Sequence, residues 1–230
     1  MFDEPIHYVV FTRPDNTWNM ERIEKYITVL DEIEESAGPG VMVTIGAGPR
    51  HFSTGFDLAW WAENPKNMQD SIIRCSQMFA RLLEFPMPTL VVFNGSAIAG
   101  GYIYGLTHDY RLMNSNMGSG ICMSELKLGF ALYSPYMLVC RSKLSPSVCA
   151  KMAMAVSVTT KEEALKDGLV DDFYTGVDEL TAKIAAFAKR YAGNAVHRGP
   201  IKTNKYMQLT NTIDACRKFR WTPTGLASVK

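Results

Sequence analysis

The order of strand-like and helix-like runs predicts an α/β fold, and three observations carry that prediction. Up to about residue 107, β-branched and aromatic runs alternate with runs of helical apolar period. Two of the strand-like runs hand over to loops of glycine and other small residues. Beyond about residue 134 every periodic run reads as helix.

Residues 6–12 (IHYVVFT) have strand composition, and Pro14, Asp15 and Asn16 end them with turn chemistry. From Thr17 to Ser36, Met20, Ile23, Ile27, Leu30 and Ile33 recur at helical spacing until Gly38-Pro39-Gly40 stops the helix. Its acidic cluster, Asp31 to Glu35, reads as a solvated face. A second strand, Val41 to Ile45, precedes a glycine loop. Met68 to Glu84 is amphipathic helix, ended by Pro86 and Pro88 before a third strand, Thr89 to Phe93. The uncharged stretch from Phe85 to Thr107 is interrupted by Pro, Asn and Gly, so it reads as buried strand, turn and helix rather than a membrane span. Residues 136–141, 146–155, 161–167, 178–191 and 201–219 read as helices.

The 230 residues carry 24 Lys and Arg against 23 Asp and Glu, and a net charge of +1 argues against a nucleic-acid binder. Five cysteines with no CxxC pair indicate neither a disulfide framework nor a thiolate zinc site and suit a reducing compartment. The four histidines show no ligand spacing, so no metal is expected. MFDEPIHYVVF resembles neither a secretory signal nor a transit peptide, and LASVK is not an SKL-type address.

Gly46-Ala47-Gly48 begins like a dinucleotide fingerprint but lacks the third glycine and the following helix. There is no GxxxxGK[ST] and no GxSxG. Two loops remain, Phe52 to Leu58 and Asn94 to Gly101. Each puts small residues where a strand hands over to a helix, leaving backbone N–H groups free. Two such groups converging on one oxygen would make an oxyanion hole.

FSTGFDL, NGSAIAGG, HDYRLM, SELKLGF and TKEEALKDGLVDDFY together resemble the crotonase superfamily of enoyl-CoA hydratases and isomerases, over roughly residues 8–190. The closest resemblance is to monofunctional Δ3,Δ2-enoyl-CoA isomerases of the short plant type. It implies a crotonase-like spiral core of ββα units over residues 1–190, with a C-terminal helical segment, 191–230, within one domain. It implies an acyl-CoA substrate, coenzyme A arriving as part of it, and no separate cofactor. A homotrimer or a dimer of trimers, and a mitochondrial matrix or peroxisomal location, are further implications.

Carried over residue by residue, the resemblance implies that the backbone N–H groups of Phe56 and Gly100 form the oxyanion hole. Glu125 becomes the catalytic base, and Ser53, Gly55, Asp57, Ala99 and Gly101 become substrate-binding positions. Hydratases carry two glutamates; Ile103 stands at the first position here and Glu125 at the second. One base suffices to shift a double bond, whereas adding water calls for a site that also orients the water. The apolar neighbours Ile121, Met123, Leu126, Leu128 and Phe130 predict a raised Glu125 pKa. A surface ion pair with Lys127 is the plainer alternative for this glutamate.

Trp60, Trp61, Met113, Met117 and Met123 read as core before acyl-pocket lining. Lys202, Lys205, Arg217, Lys218 and Arg220 read as a solvated helix face before a phosphate site. Two departures stand out: the bulky Phe56, and FALYSPYM where many hydratases have a glycine-rich stretch. Rival functions are hydration or hydrolysis of an acyl-CoA, and a non-catalytic subunit of a larger, mitochondrial assembly.

Overall fold

The computed structural model describes residues 5–117, 120–154, 157–158 and 160–221. The expected helix residue Ala155 and the terminal LASVK lie outside them. The first half of the chain gives β1 (Ile6–Phe11), α1 (Met20–Glu35), β2 (Val41–Gly46), β3 (His51–Ser53), α2 (Leu58–Glu63), α3 (Met68–Leu83), β4 (Thr89–Phe93), β5 (Ser96–Ile98) and α4 (Gly100–Leu106). The second gives β6 (Tyr110–Asn114), β7 (Ile121–Cys122), α5 (Ser134–Lys143), α6 (Pro146–Ala153), β8 (Ser157–Val158), α7 (Lys161–Lys166), β9 (Asp172–Tyr174), α8 (Gly176–Tyr191) and α9 (Arg198–Lys218).

Five strands form a parallel sheet in the order β1-β2-β4-β6-β9. Successive side chains point to opposite faces. Val41, Val43, Leu90, Val92 and Leu112 therefore meet Ile184, Phe187 and Ala188 of α8 on one face. Val9, Phe11, Met42, Val91 and Met113 meet the larger core on the other. Covering both faces is what a parallel sheet requires. A second sheet, β3-β5-β7-β8, is made of strands only two or three residues long.

Helix α1 starts at Met20, three residues later than its periodicity suggests. Asn19 is extended and its side chain accepts from Arg22 N–H at 3.1 Å, an N-cap. Trp18 is drawn into a backbone bridge with Phe56 instead. The acidic cluster is only partly solvated: Arg81 pairs with Asp31 and Glu34, and Lys202 reaches Glu34 at 3.1 Å. α9 packs on α3 and α5 and adds Leu209, Ile213 and Cys216 to the larger core. No disulfide joins the five cysteines. Among the described residues no helix is long and apolar enough to cross a membrane.

Candidate active site

β3, β5 and β7 are neighbours in the smaller sheet and run parallel, with Ser53 opposite Ala97 and Ile98 opposite Cys122. Their C-terminal ends therefore lie along one edge, where open α/β sheets place their ligands. The chain leaving β3 reaches Phe56 and the chain leaving β5 reaches Gly100. The chain leaving β7 reaches Glu125. Three positions far apart in sequence share one edge for this reason.

The first loop is fixed by the Ser53 hydroxyl and by the backbone of the segment from Asn16 to Trp18. Gly55 has φ +81°, a conformation that favours glycine. Ser53 Oγ donates to Asn16 O at 2.8 Å and accepts from Gly55 N–H at 3.1 Å. Trp18 N–H donates to Gly55 O at 2.8 Å and Asp57 N–H donates to Trp18 O at 2.9 Å. Asp57 then caps α2, accepting from Trp60 N–H at 3.0 Å. Phe56 N–H is left without a hydrogen-bond partner among the described residues.

The second loop turns at Ala99, which holds φ 52° despite its Cβ. Its N–H donates to Cys122 O at 2.7 Å, and its carbonyl accepts from Tyr102 and Ile103 to start α4. Gly100 N–H, in the first turn, has no acceptor among the described residues. The two loops touch. A Cβ on Gly55 would stand 3.1 Å from Gly100 N, and one on Gly101 would overlap the Ser53 carbonyl. Ser53, Gly55 and Gly101 thus shape the site from behind its wall, and of the five expected substrate-binding positions only Ala99 lines the cavity.

That cavity, of about 80 Å³, is bounded by Phe56, Ala99, Gly100 and Glu125 and by the rings of Trp61, Phe130, Tyr133 and Tyr136. Phe56 stacks on Trp61 with centroids 4.5 Å apart, so its bulk forms wall. Trp61 lines the cavity, whereas Met113 and Met123 are core and Met117 packs against it. Glu125 is the one acidic or basic residue among those lining the cavity. Burial raises its pKa above the usual 4.5, partly opposed by hydrogen bonds from the Glu125 and Ser124 backbone. No ion pair joins it to Lys127 or to any other described cation. Its turn is closed by Leu128 N–H and Phe130 N–H donating to Glu125 O at 3.0 and 2.9 Å. Ile103 is fully buried in the core and contributes nothing to the cavity surface.

A second cavity, about 430 Å³, is lined by Arg13, Arg22, Arg50 and His51 with Asp15, Thr17 and, from the first loop, Asp57. Arg22 is tied to Thr17 and Asp57; Arg13 and Arg50 have no carboxylate partner among the described residues. No spacing in the sequence links these arginines, and the sequence reading missed them. The C-terminal cations it considered are largely engaged elsewhere: Lys202 with Glu34, Lys205 with Asp109, Arg217 with Glu84, Lys218 with Asp214. Among the described residues no cluster of His, Cys, Asp or Glu could hold a metal ion.

Residues 2–220 match the family described as Enoyl-CoA hydratase/isomerase. Enoyl-CoA delta isomerase 3 of Arabidopsis thaliana is 28% identical over 213 residues, 87% of each chain. The (E)-benzylidenesuccinyl-CoA hydratase of Thauera aromatica is 25% identical over 88% of this chain and 77% of its own. A crystal structure of an enoyl-CoA hydratase/isomerase family protein from Pseudomonas syringae superposes with a TM-score of 0.81 at 21% identity, covering 95% of this chain and 94% of that one. The chain belongs to the enoyl-CoA hydratase/isomerase family, and its fold is that of the crotonases.

Proposed function

We propose that this protein is a Δ3,Δ2-enoyl-CoA isomerase, and the observation that carries the reading is the single carboxylate, Glu125, on the cavity wall. With a 3-enoyl thioester in the cavity, Glu125 removes a C2 proton. The C–H electron pair delocalises into a dienolate whose negative oxygen lies between the N–H groups of Phe56 and Gly100. Losing one such donor costs about 2.7–4 kcal/mol in a comparable site. The protonated Glu125 then returns the proton to C4, the thioester carbonyl re-forms, and the double bond stands between C2 and C3.

Nothing is oxidised or reduced overall, so the reaction calls for coenzyme A only as part of the substrate. Arg13 and Arg50, which have no carboxylate partner among the described residues, are the candidates to meet its phosphates, ahead of the C-terminal lysines. Relatives named as peroxisomal and mitochondrial isomerases support a location in one of those matrices, and the family relation supports a trimeric assembly. Hydration is the second reading, favoured by the Thauera relative. The apolar, buried Ile103 opposes it, because no second carboxylate orients a water.

The test is conversion of a 3-enoyl-CoA to its conjugated 2-enoyl product, followed by ultraviolet absorbance. Glu125→Gln lowers kcat by about a thousandfold, the size of a general acid–base contribution, while acyl-CoA affinity stays within a few-fold. Because the base must be ionised, kcat/KM falls as pH drops through a value above 4.5. No turnover in either folded protein sinks the reading. Conversion of added 2-enoyl-CoA to a 3-hydroxyacyl-CoA by wild type moves it to hydration.

A further inference from the structure

Trp18 lies on the extended segment between β1 and α1, outside the cavity, yet it touches both loops that carry the unpaired N–H groups. Its N–H donates to Gly55 O at 2.8 Å and its carbonyl accepts from Asp57 N–H at 2.9 Å. These two bonds bracket Phe56 and leave the Phe56 N–H outside the pairing. Its indole is fully buried, and Cζ3 stands 3.3 Å from the place a Cβ on Gly100 would occupy. The same ring meets Phe56 edge-on, with centroids 6.0 Å apart. Behind it, Phe79 at 6.0 Å and Tyr104 at 5.5 Å leave it no room to withdraw.

The indole Nε1 has no hydrogen-bond partner among the described residues. A buried unpaired N–H is a cost that an aliphatic side chain in the same space would not carry. We propose that Trp18 is a positioning residue, a single prop that sets the Phe56 and Gly100 N–H groups at the spacing of one thioester oxygen. This rests on the isomerase reading above, in which those two groups hold that oxygen. Displacement of a catalytic group by about 1 Å can cost a hundredfold in rate. The prop therefore acts on kcat through geometry without touching substrate.

The test compares wild type, Trp18→Phe and Trp18→Leu, each first checked for cooperative thermal unfolding. A saturated acyl-CoA labelled with carbon-13 at its carbonyl is bound, and the carbonyl stretch is read by difference infrared spectroscopy. In wild type the two donors lower the stretching frequency. In Trp18→Phe that lowering shrinks and kcat falls by about ten- to a hundredfold, with KM within about threefold. Trp18→Phe, which keeps a ring in the same space, carries the test alone should Trp18→Leu fail to fold. A folded Trp18→Phe with the wild-type carbonyl shift overturns the proposal and leaves the isomerase reading intact, whether its rate is unchanged or falls only with a raised KM. A wild type that leaves the carbonyl frequency unshifted overturns the donor-pair reading and the Trp18 role with it. Glu125→Gln is the control, retaining the shift while turnover is lost.

Discussion

The larger sheet has strands of three to six residues whose side chains alternate into two cores, whereas the smaller has strands of two or three residues and carries the site. The first is held by apolar area removed from water, which is non-directional and tolerates small displacements. The second also buries Phe52, Ala97 and Ile121 in the larger core, but its site edge is held by backbone against backbone: Gly55 on Gly100, Gly101 on Ser53, Ala99 on Cys122. Contacts of that kind leave no slack. The proton transfer proposed above needs atoms placed to a fraction of an ångström, a demand that the short-stranded sheet suits better than the long-stranded one.

The contrast is broken most severely at Gly101. A Cβ there would overlap the Ser53 carbonyl oxygen and stand 2.8 Å from the carbonyl carbon, both backbone atoms that cannot swing aside. Gly101→Ala should cost on the order of 3–5 kcal/mol, the size reserved for backbone clashes, measured by urea unfolding. Near wild-type stability would mean that the smaller sheet has the slack denied to it here.

His108 joins the two regions. With Nδ1 protonated it donates to Tyr104 O at 3.2 Å, while Nε2 accepts from the Thr44 hydroxyl at 2.9 Å, tying α4 to β2. Full burial lowers its pKa to about 3. The unfolded chain therefore binds a proton through pH 6.5 that the folded protein refuses. Stability is full above pH 6.5 and falls as pH drops from there towards 3. Between pH 7 and pH 4 the loss should be about 3 kcal/mol. Burial also lowers the pKa values of His7 and His51, so the slope lost in His108→Gln is the quantity to read from unfolding curves at several pH values. A slope that the substitution leaves unchanged would place the acid sensitivity elsewhere.

The smallest effect is expected in the larger sheet. Val92 is fully buried on the α8 face of β4. Val92→Ala should cost about 2 kcal/mol of stability through lost burial and a small cavity, with kcat within about twofold of wild type. A large drop in kcat, with stability little changed, would show the two sheets to be mechanically one.

Legibility in the sequence follows the same division. Ile6–Phe11, Val41–Gly46 and Thr89–Phe93, and the helices Met20–Glu35 and Met68–Leu83, were readable because each is long enough to show its period. His51–Ser53, Ser96–Ile98 and Ile121–Cys122 are too short to show alternation, so the sheet that positions the site left no periodic trace. Glu125, Phe56 and Gly100 were nonetheless singled out as candidates, through motifs that resemble a family. Arg13, Arg22 and Arg50 were not, because a cavity assembled from residues up to 44 positions apart has no spacing to recognise.

Sequence by itself determined the longer strands and helices and that glycines occupy two handovers from strand to helix, and its resemblance to a family marked one carboxylate where hydratases have two. Only the tertiary structure decided that the two handovers touch, that Phe56 and Gly100 find no partner for their N–H groups among the described residues, and that Glu125 is the one charged residue lining an apolar cavity. The reason is physical. Periodicity and turn chemistry act between near neighbours along the chain, whereas desolvation and the loss or retention of a hydrogen-bond partner depend on what the remaining chain brings within a few ångströms.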